Sequence, residues 1–217
     1  MDADDRMLPS RLALQKSFLD QYPDFGAVGG KVQYVAHHPK TEGFSKYVDW
    51  SNRRTSYEDI MKHRFVELPL VNPTAMWRRK VSEKLGAYQQ GDFPEDYEMW
   101  LRWLGQGVKV GKVNETVLYW HDSYERLTRS DPRYSKEAFH RVRVKYLADY
   151  LAKNNPFHPA VWVWGAARQT RRMAEMMEPR GIRIEKYIDV NTKAAIGKEV
   201  IHYSKIPPRE AALFWFM

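Results

Sequence analysis

Residues 94–120 run Pro94-Glu95-Asp96-Tyr97-Glu98-Met99-Trp100-Leu101-Arg102-Trp103-Leu104-Gly105-Gln106-Gly107-Val108-Lys109-Val110-Gly111-Lys112-Val113-Asn114-Glu115-Thr116-Val117-Leu118-Tyr119-Trp120, passing from a helix into strands. Tyr97, Trp100, Leu101 and Leu104 recur at spacings of three and four, which stacks them on one helical face. Pro94 stands just ahead of that face, Glu95 and Asp96 fill the first turn, and Gly105 and Gly107 end the helix. Residues 108–113 and 116–120 are rich in β-branched and aromatic side chains and predict two strands. A helix feeding strands in this way selects the α/β class.

Toward the N-terminus, residues 25–36 predict a strand entered through Gly26, Gly29 and Gly30, and residues 43–64 predict mostly helical, polar cover. Asn72-Pro73-Thr74 is a turn, residues 75–77 a short strand, and residues 82–85 a short helix stopped by Gly86. Ahead of these, Leu8, Leu12, Gln15, Leu19 and Tyr22 keep helical spacing, with Pro9 in the first turn and Pro23-Asp24 as the stop. Toward the C-terminus, residues 135–153 predict a long helix burying Phe139, Val142, Tyr146, Leu147 and Tyr150. Asn154-Asn155-Pro156-Phe157-His158-Pro159 then breaks the chain, which predicts a first domain over 1–153, a linker over 154–159 and a second module over 160–217. That module opens on the apolar strand Val161-Trp162-Val163-Trp164, turns at Gly165-Ala166-Ala167, and continues as a helix over 168–178. A strand over 182–188 follows and ends at Asp189, the outline of a dinucleotide-binding βαβ unit.

Composition narrows the function. Of 217 residues, 43% are hydrophobic and 14% aromatic, enough for a buried core and against global disorder. The charged share of 29%, a mean hydropathy of −0.66 and the lack of any run of about 18 apolar residues speak against an integral membrane protein. The opening Met1-Asp2-Ala3-Asp4-Asp5 has neither the basic nor the apolar region of a secretory signal. With no cysteine, disulfide scaffolds, thiolate metal centres and thiol nucleophiles are all excluded, and a cytoplasmic location is expected. The net charge of +8 suits anionic partners: nucleic acid, anionic lipid or a phosphate-bearing small molecule. No helix-turn-helix, zinc-finger or RNP pattern is present, and the Lys and Arg groups are scattered, so no nucleic-acid partner is expected.

Three constellations carry chemistry. Asp2, Asp4 and Asp5 place three carboxylates ahead of the first helix, where they suit either a hard divalent cation or the positive end of the helix dipole. Glu95 and Asp96 open the 94–105 helix, where a carboxylate serves as a cap or as a general base; Trp77, Trp100, Trp103 and Trp120 either line a cleft beside them or belong to the core. Trp120-His121-Asp122 closes a strand and offers an imidazole.

In combination and order, these motifs resemble the family 2 glycosyltransferases of GT-A fold. The resemblance rests on Asp2-Ala3-Asp4-Asp5, then Asn72-Pro73-Thr74-Ala75-Met76-Trp77-Arg78-Arg79, then Pro94-Glu95-Asp96-Tyr97-Glu98-Met99-Trp100-Leu101-Arg102. Tyr119-Trp120-His121-Asp122, Arg126-Leu127-Thr128-Arg129 and Arg133-Tyr134-Ser135 extend it, so that it covers residues 1–153. It implies a partial GT-A fold, a Rossmann-like mixed sheet with helices, followed by a small, partial Rossmann-like βαβ module. It also implies transfer of a sugar from a nucleotide-sugar donor to the hydroxyl of a saccharide or lipid-linked acceptor, with inversion, in bacterial cell-envelope polysaccharide synthesis. Asp2 and Asp4 would bind donor and metal, Glu95 the donor, Asp96 would be the catalytic base, and His121 would complete the contacts to Mg2+ or Mn2+. The expected location is the cytoplasm, including peripheral association with the inner face of the membrane.

Two departures from that pattern shape further expectations. Members of the family carry a βαβ half ahead of the Asp-X-Asp motif, whereas this chain opens on the motif; residues 211–217 read like an interrupted strand. A fragment is therefore expected, lacking the nucleoside-binding half and inactive alone. The module from Pro159 resembles one appended to some bacterial family members in which Gly-Ala-Gly-Arg is common. Here the stretch is Gly165-Ala166-Ala167-Arg168, which favours a structural role over nucleotide binding. The rival reading is a non-catalytic remnant that binds a partner chain or an anionic membrane surface.

Overall fold

A computed structural model describes residues 1, 3–37, 42–123, 126–192, 197–207 and 212–215. The chain is mixed α/β and divides into two compact units, Met1–Phe139 and His140–Met217.

The first unit is built on a mixed four-stranded sheet. Its strands are β1 (Arg6–Met7), β2 (Phe25–Ala36), β3 (Met76–Trp77) and β4 (Lys109–Asp122), in the order β1-β4-β2-β3. β2 and β4 run parallel, and the two short strands flank them antiparallel. The glycines that lead into β2 are there for space: a Cβ on Gly29 would meet Leu70 Cδ2 at 2.7 Å, and one on Gly30 would fall inside the Val117 side chain. Around the sheet stand α1 (Arg11–Gln21), α2 (Glu42–Asn52), α3 (Tyr57–His63), α4 (Arg79–Leu85), α5 (Glu95–Gly105) and the single turn α6 (Leu127–Ser130). Leu19, Val28, Val32, Val48, Val71, Val113, Val117, Leu118 and Trp120 form one core cluster. α5 buries Tyr97, Met99, Trp100, Leu101, Trp103 and Leu104.

Several expectations change in detail. The two strands expected at 108–113 and 116–120 are one strand, because β4 bulges at Asn114 and Glu115: Gly30 pairs with Val113 and the next residue, Lys31, with Thr116. α1 turns inward along Arg11, Gln15 and Leu19, so Gln15 and Leu19 of the expected stripe are buried while Leu12 is 54% and Tyr22 41% exposed. Hydrogen bonding explains why two polar residues share this face. The Gln15 amide donates to the carbonyls of Thr74 (2.7 Å) and Val28 (3.2 Å), and Arg11 Nε donates to Gln15 Oε1, so a buried polar stripe is satisfied. β1 stands between Asp4-Asp5 and α1, whose first turn holds no acid.

The second unit holds most of α7 (Lys136–Asn154), then β5 (Ala160–Trp164), α8 (Arg168–Glu175), β6 (Arg183–Asp189), β7 (Glu199–His202) and β8 (Ala212–Trp215). Its sheet is wholly parallel, in the order β7-β6-β5-β8. On α7, Val142 and Leu147 are buried as expected, whereas Tyr150 is 41% exposed. Val161, Val163, Met173, Met177, Tyr187 and Ile188 close its core.

Candidate functional site

In parallel sheets, ligands bind outside the carboxyl ends of the strands. In the first unit that edge is where Tyr34 pairs with Trp120, Val35 with His121 and Ala36 with Asp122. Asp122 is fully buried and organises the corner. Arg129 donates from both terminal nitrogens to its two oxygens at 2.7 Å, Arg126 stands 3.9 Å away, and the Tyr34 hydroxyl donates to it as well. Burial, and then this bond to Asp122, push the Tyr34 phenol up to about 12. Arg126 stacks over the Trp120 ring at 4.3 Å and Arg129 over Phe44 at 4.9 Å, so both guanidiniums are held by aromatic faces.

His121 is half-buried beside them. Its Nδ1 lies 2.7 Å from Nε2 of His37, the two rings stack at 4.9 Å, and one of the two nitrogens donates to the other. The backbone N–H of His121 donates to Asp5 Oδ1 at 3.2 Å, which fixes the buried Asp5 to the same strand end.

The start of α5 is tied to this corner by the chain that leaves β4. Residues 126–134 pass through α6 and a 3-10 turn, Pro132–Tyr134. Arg129 anchors one end of this segment on Asp122. At the other end the Tyr134 hydroxyl lies 2.7 Å from both Glu95 oxygens. Burial and the Glu95 carboxylate push the Tyr134 phenol well up. Asp96 is half-buried in the first turn of α5, and its Oδ1 accepts the amide of the next residue, Tyr97, at 2.7 Å. Its charge also reaches Tyr47 on α2, whose phenol is raised by burial first, then by Glu67 and Asp96. Trp100 and Trp103 are core rather than cleft lining. Their indole N–H groups donate to Asn72 Oδ1 and the Gly86 carbonyl, and Trp77 packs edge-on against both rings.

Of the residues singled out in the sequence, Glu95, Asp96 and His121 lie on elements joined by this connecting segment. Asp4 is exposed, and Asp2 lies outside the described residues. Asp5 stands in the N-terminal carboxylate group, and Asp122, Arg129 and Tyr134 stand in quoted motifs without a role of their own; Tyr34 and His37 are marked by nothing in the sequence. The bonds of Tyr34, His37 and Tyr134 span 88, 84 and 39 residues, so no local pattern marks them. Among the described residues, no group of three or more His, Asp or Glu side chains is placed to hold a metal ion. A hard cation that also binds substrate phosphates needs only one or two carboxylates, so the chemistry of Asp4 with Asp2, and of the second nitrogen of His121, still fits one.

No protein-family model matches the chain. It is similar to an uncharacterised glycosyltransferase of Haemophilus influenzae, 25% identical over 119 residues, or 55% of this chain and 42% of that protein. It is also similar to the amylovoran biosynthesis glycosyltransferase AmsE of Erwinia amylovora, 27% identical over 118 residues, 54% of this chain and 42% of that one. An uncharacterised glycosyltransferase of Methanocaldococcus jannaschii is 25% identical over 118 residues, 54% of this chain and 39% of that one. The chain thus spans about two fifths of the length of the curated relatives it matches. No helix among the described residues is long and apolar enough to cross a membrane.

Proposed function

We propose that the chain belongs to the working part of a family 2 glycosyltransferase of GT-A type, which moves a sugar from a nucleoside-diphosphate donor to a hydroxyl of a saccharide or lipid-linked acceptor. The observation that carries this reading is the docking of residues 126–134 on Asp122 at one end and Glu95 at the other. It joins a cationic strand edge, suited to a diphosphate, to a helix start bearing a carboxylate pair, suited to a hydroxyl. The similarity to three proteins named as glycosyltransferases supports the general reaction.

In the proposed step the acceptor oxygen forms a bond to the anomeric carbon from the face opposite the leaving group. The bond from that carbon to the diphosphate oxygen breaks with its electron pair, and the configuration inverts. Asp96 takes the acceptor proton as attack develops. Arg126 and Arg129, held on aromatic faces, offer fixed positive charge to the diphosphate. Glu95, fixed by Tyr134, serves the donor side. Asp2, Asp4 and His121 would hold Mg2+ or Mn2+, whose chemistry is to neutralise the leaving diphosphate.

Asp96→Asn tests the reading. Asparagine keeps the shape and still accepts the Tyr97 amide but does not take the proton, so turnover of a nucleotide-sugar panel, assayed with the donor-binding half supplied in trans or by fusion, should fall by about 10²–10⁴-fold with the fold intact. Release of nucleoside diphosphate is the measurement. Near-native turnover in the variant would remove Asp96 from the chemistry and leave it a structural residue of the first helical turn.

A further inference from the structure

A second feature of the first unit is independent of that corner. A concavity of about 620 Å3 lies on the face where α2 ends against β2 and the β4 bulge; Lys31, Lys46, Asp49, Arg53, Thr55 and Asn114 contribute to its lining. Its charge is lopsided. Lys46 is paired with Glu42, while Lys31 and Arg53 have no ion-pair or hydrogen-bond partner among the described residues. Close to Lys31 stands Lys112, only 4% exposed, with Nζ donating to the Ser51 carbonyl, the Ser51 hydroxyl and the Pro69 carbonyl. Arg54 adds its guanidinium, stacked on Trp50 at 4.3 Å. Burial first, and then the charges of Lys31 and Arg54, depress the Lys112 ammonium. An anion held at Lys31 would offset the last of these repulsions in part.

The walls are fixed before any ligand arrives. The Asn52 side chain mimics a neighbouring strand, accepting from Val32 N at 3.1 Å and donating to Val32 O at 2.9 Å. Arg54 also donates to the Trp50 carbonyl at 2.7 Å, and the Lys112 amide to the Thr55 carbonyl. The bulge at Asn114 and Glu115 interrupts the ladder at this place and brings Asn114 to the rim. The result is a preorganised cationic bowl with amide and hydroxyl donors around it.

We propose that this pocket binds a phosphate-bearing ligand, a diphosphate or a phosphomonoester, through Lys31 and Arg53 with Asn114 and Thr55 donating to the remaining oxygens. None of these residues belongs to the Asp122–Glu95 corner, so the inference stands or falls apart from the transferase reading. The ligand is either soluble or the headgroup of a lipid.

Calorimetric titration of the full chain with inorganic pyrophosphate, without divalent metal and at fixed ionic strength, tests it. Saturable one-site binding is expected, weakened about tenfold or more in Lys31→Gln/Arg53→Gln. Arg53→Gln alone, at an exposed position that does not threaten the fold, should give a smaller loss in the same direction. The charge-matched control Lys16→Gln/Lys80→Gln should bind like the native chain. Sedimentation with vesicles containing phosphatidic acid, against vesicles of phosphatidylcholine alone, separates the sources. Capture by the former that is lost in the double variant assigns a lipid phosphate, and pyrophosphate binding without capture assigns a soluble one. Absence of saturable binding in both arms, pyrophosphate binding that Lys31→Gln/Arg53→Gln leaves unchanged, or an equal loss in the control pair, overturns the proposal.

Discussion

Lys112 is a lysine in the middle of an otherwise apolar strand core, and its three acceptors match the three N–H bonds of an ammonium. Burial, then Lys31 and Arg54, push it down to about 7, whereas an unfolded lysine titrates near ~10.4. Between those values the unfolded chain binds more protons than the folded one, so stability rises with pH from about 7 to about 10. Below that window both states are protonated and the full penalty applies. Urea midpoints in one buffer ionic strength at pH 7 and pH 9.5 should therefore increase with pH. Lys112→Met should flatten the increase, and at pH 9.5 it should be about 1–3 kcal/mol less stable, because the Ser51 and Pro69 carbonyls lose their donor. A slope that persists in the methionine variant would place its origin elsewhere. Nothing in Val110-Gly111-Lys112-Val113 announces this role, since the partners lie 61 and 43 residues away.

At the scale of elements, the end of β4 does two jobs: it closes the sheet and moors the segment that reaches α5. Asp122 is the mooring, a fully buried carboxylate held by Arg129, whose side chain is 24% exposed. Asp122→Asn removes the charge and leaves the guanidinium facing a neutral amide, at a cost on the order of 3 kcal/mol, the low end for breaking a buried pair. Hydrogen exchange should show faster exchange across residues 126–134 and at the first turn of α5, because Tyr134 would no longer be presented to Glu95. Tyr134→Phe should loosen the α5 end and leave the Arg129 end protected. Unchanged protection in Asp122→Asn would mean that this segment is held by other contacts. The same elements set the limits of what the sequence discloses. β2 is legible to the residue because its glycines and β-branched alternation are local signals. β4 reads as two strands because the polar Asn114-Glu115 of a bulge resembles a turn. The inward face of α1 is read only in part: Gln15 and Leu19 are buried as spaced, but Arg11 joins them through bonds to Gln15 and a distant carbonyl, which periodicity does not register, and Leu12 and Tyr22 face outward. Glu95, Asp96 and His121 stand out as chemistry-bearing residues; the side chains that position them do not, because the fold alone brings those together.

At the scale of the whole chain, each unit has its own sheet and the residues proposed for chemistry fall in the first. The second has the outline of a nucleotide-binding βαβ, with an acid closing β6, and the use of that acid decides what the outline is for. Asp189 Oδ2 accepts the Ala166 amide at 2.7 Å and Oδ1 accepts the Asn191 amide at 3.1 Å. The carboxylate is thus spent on the turn between β5 and α8, rather than offered to a ribose hydroxyl. Gly165, at φ 102°, supplies the left-handed residue this turn requires, and a Cβ there would press on Thr170 at 3.3 Å. The two amides hold the Asp189 carboxyl below its ordinary range. Its contribution is therefore present above the unfolded value near ~3.9 and is lost as pH falls through the lower folded value. Asp189→Ala should cost about 1–2 kcal/mol at pH 7, comparable to losing a helix cap, with the loss vanishing at strongly acid pH. Nucleotide-sugar binding by the full chain should be unchanged, since the acid serves the turn and not a ligand. Loss of nucleotide affinity at unaltered stability would reverse the assignment and make Asp189 a ligand-binding residue of the second unit.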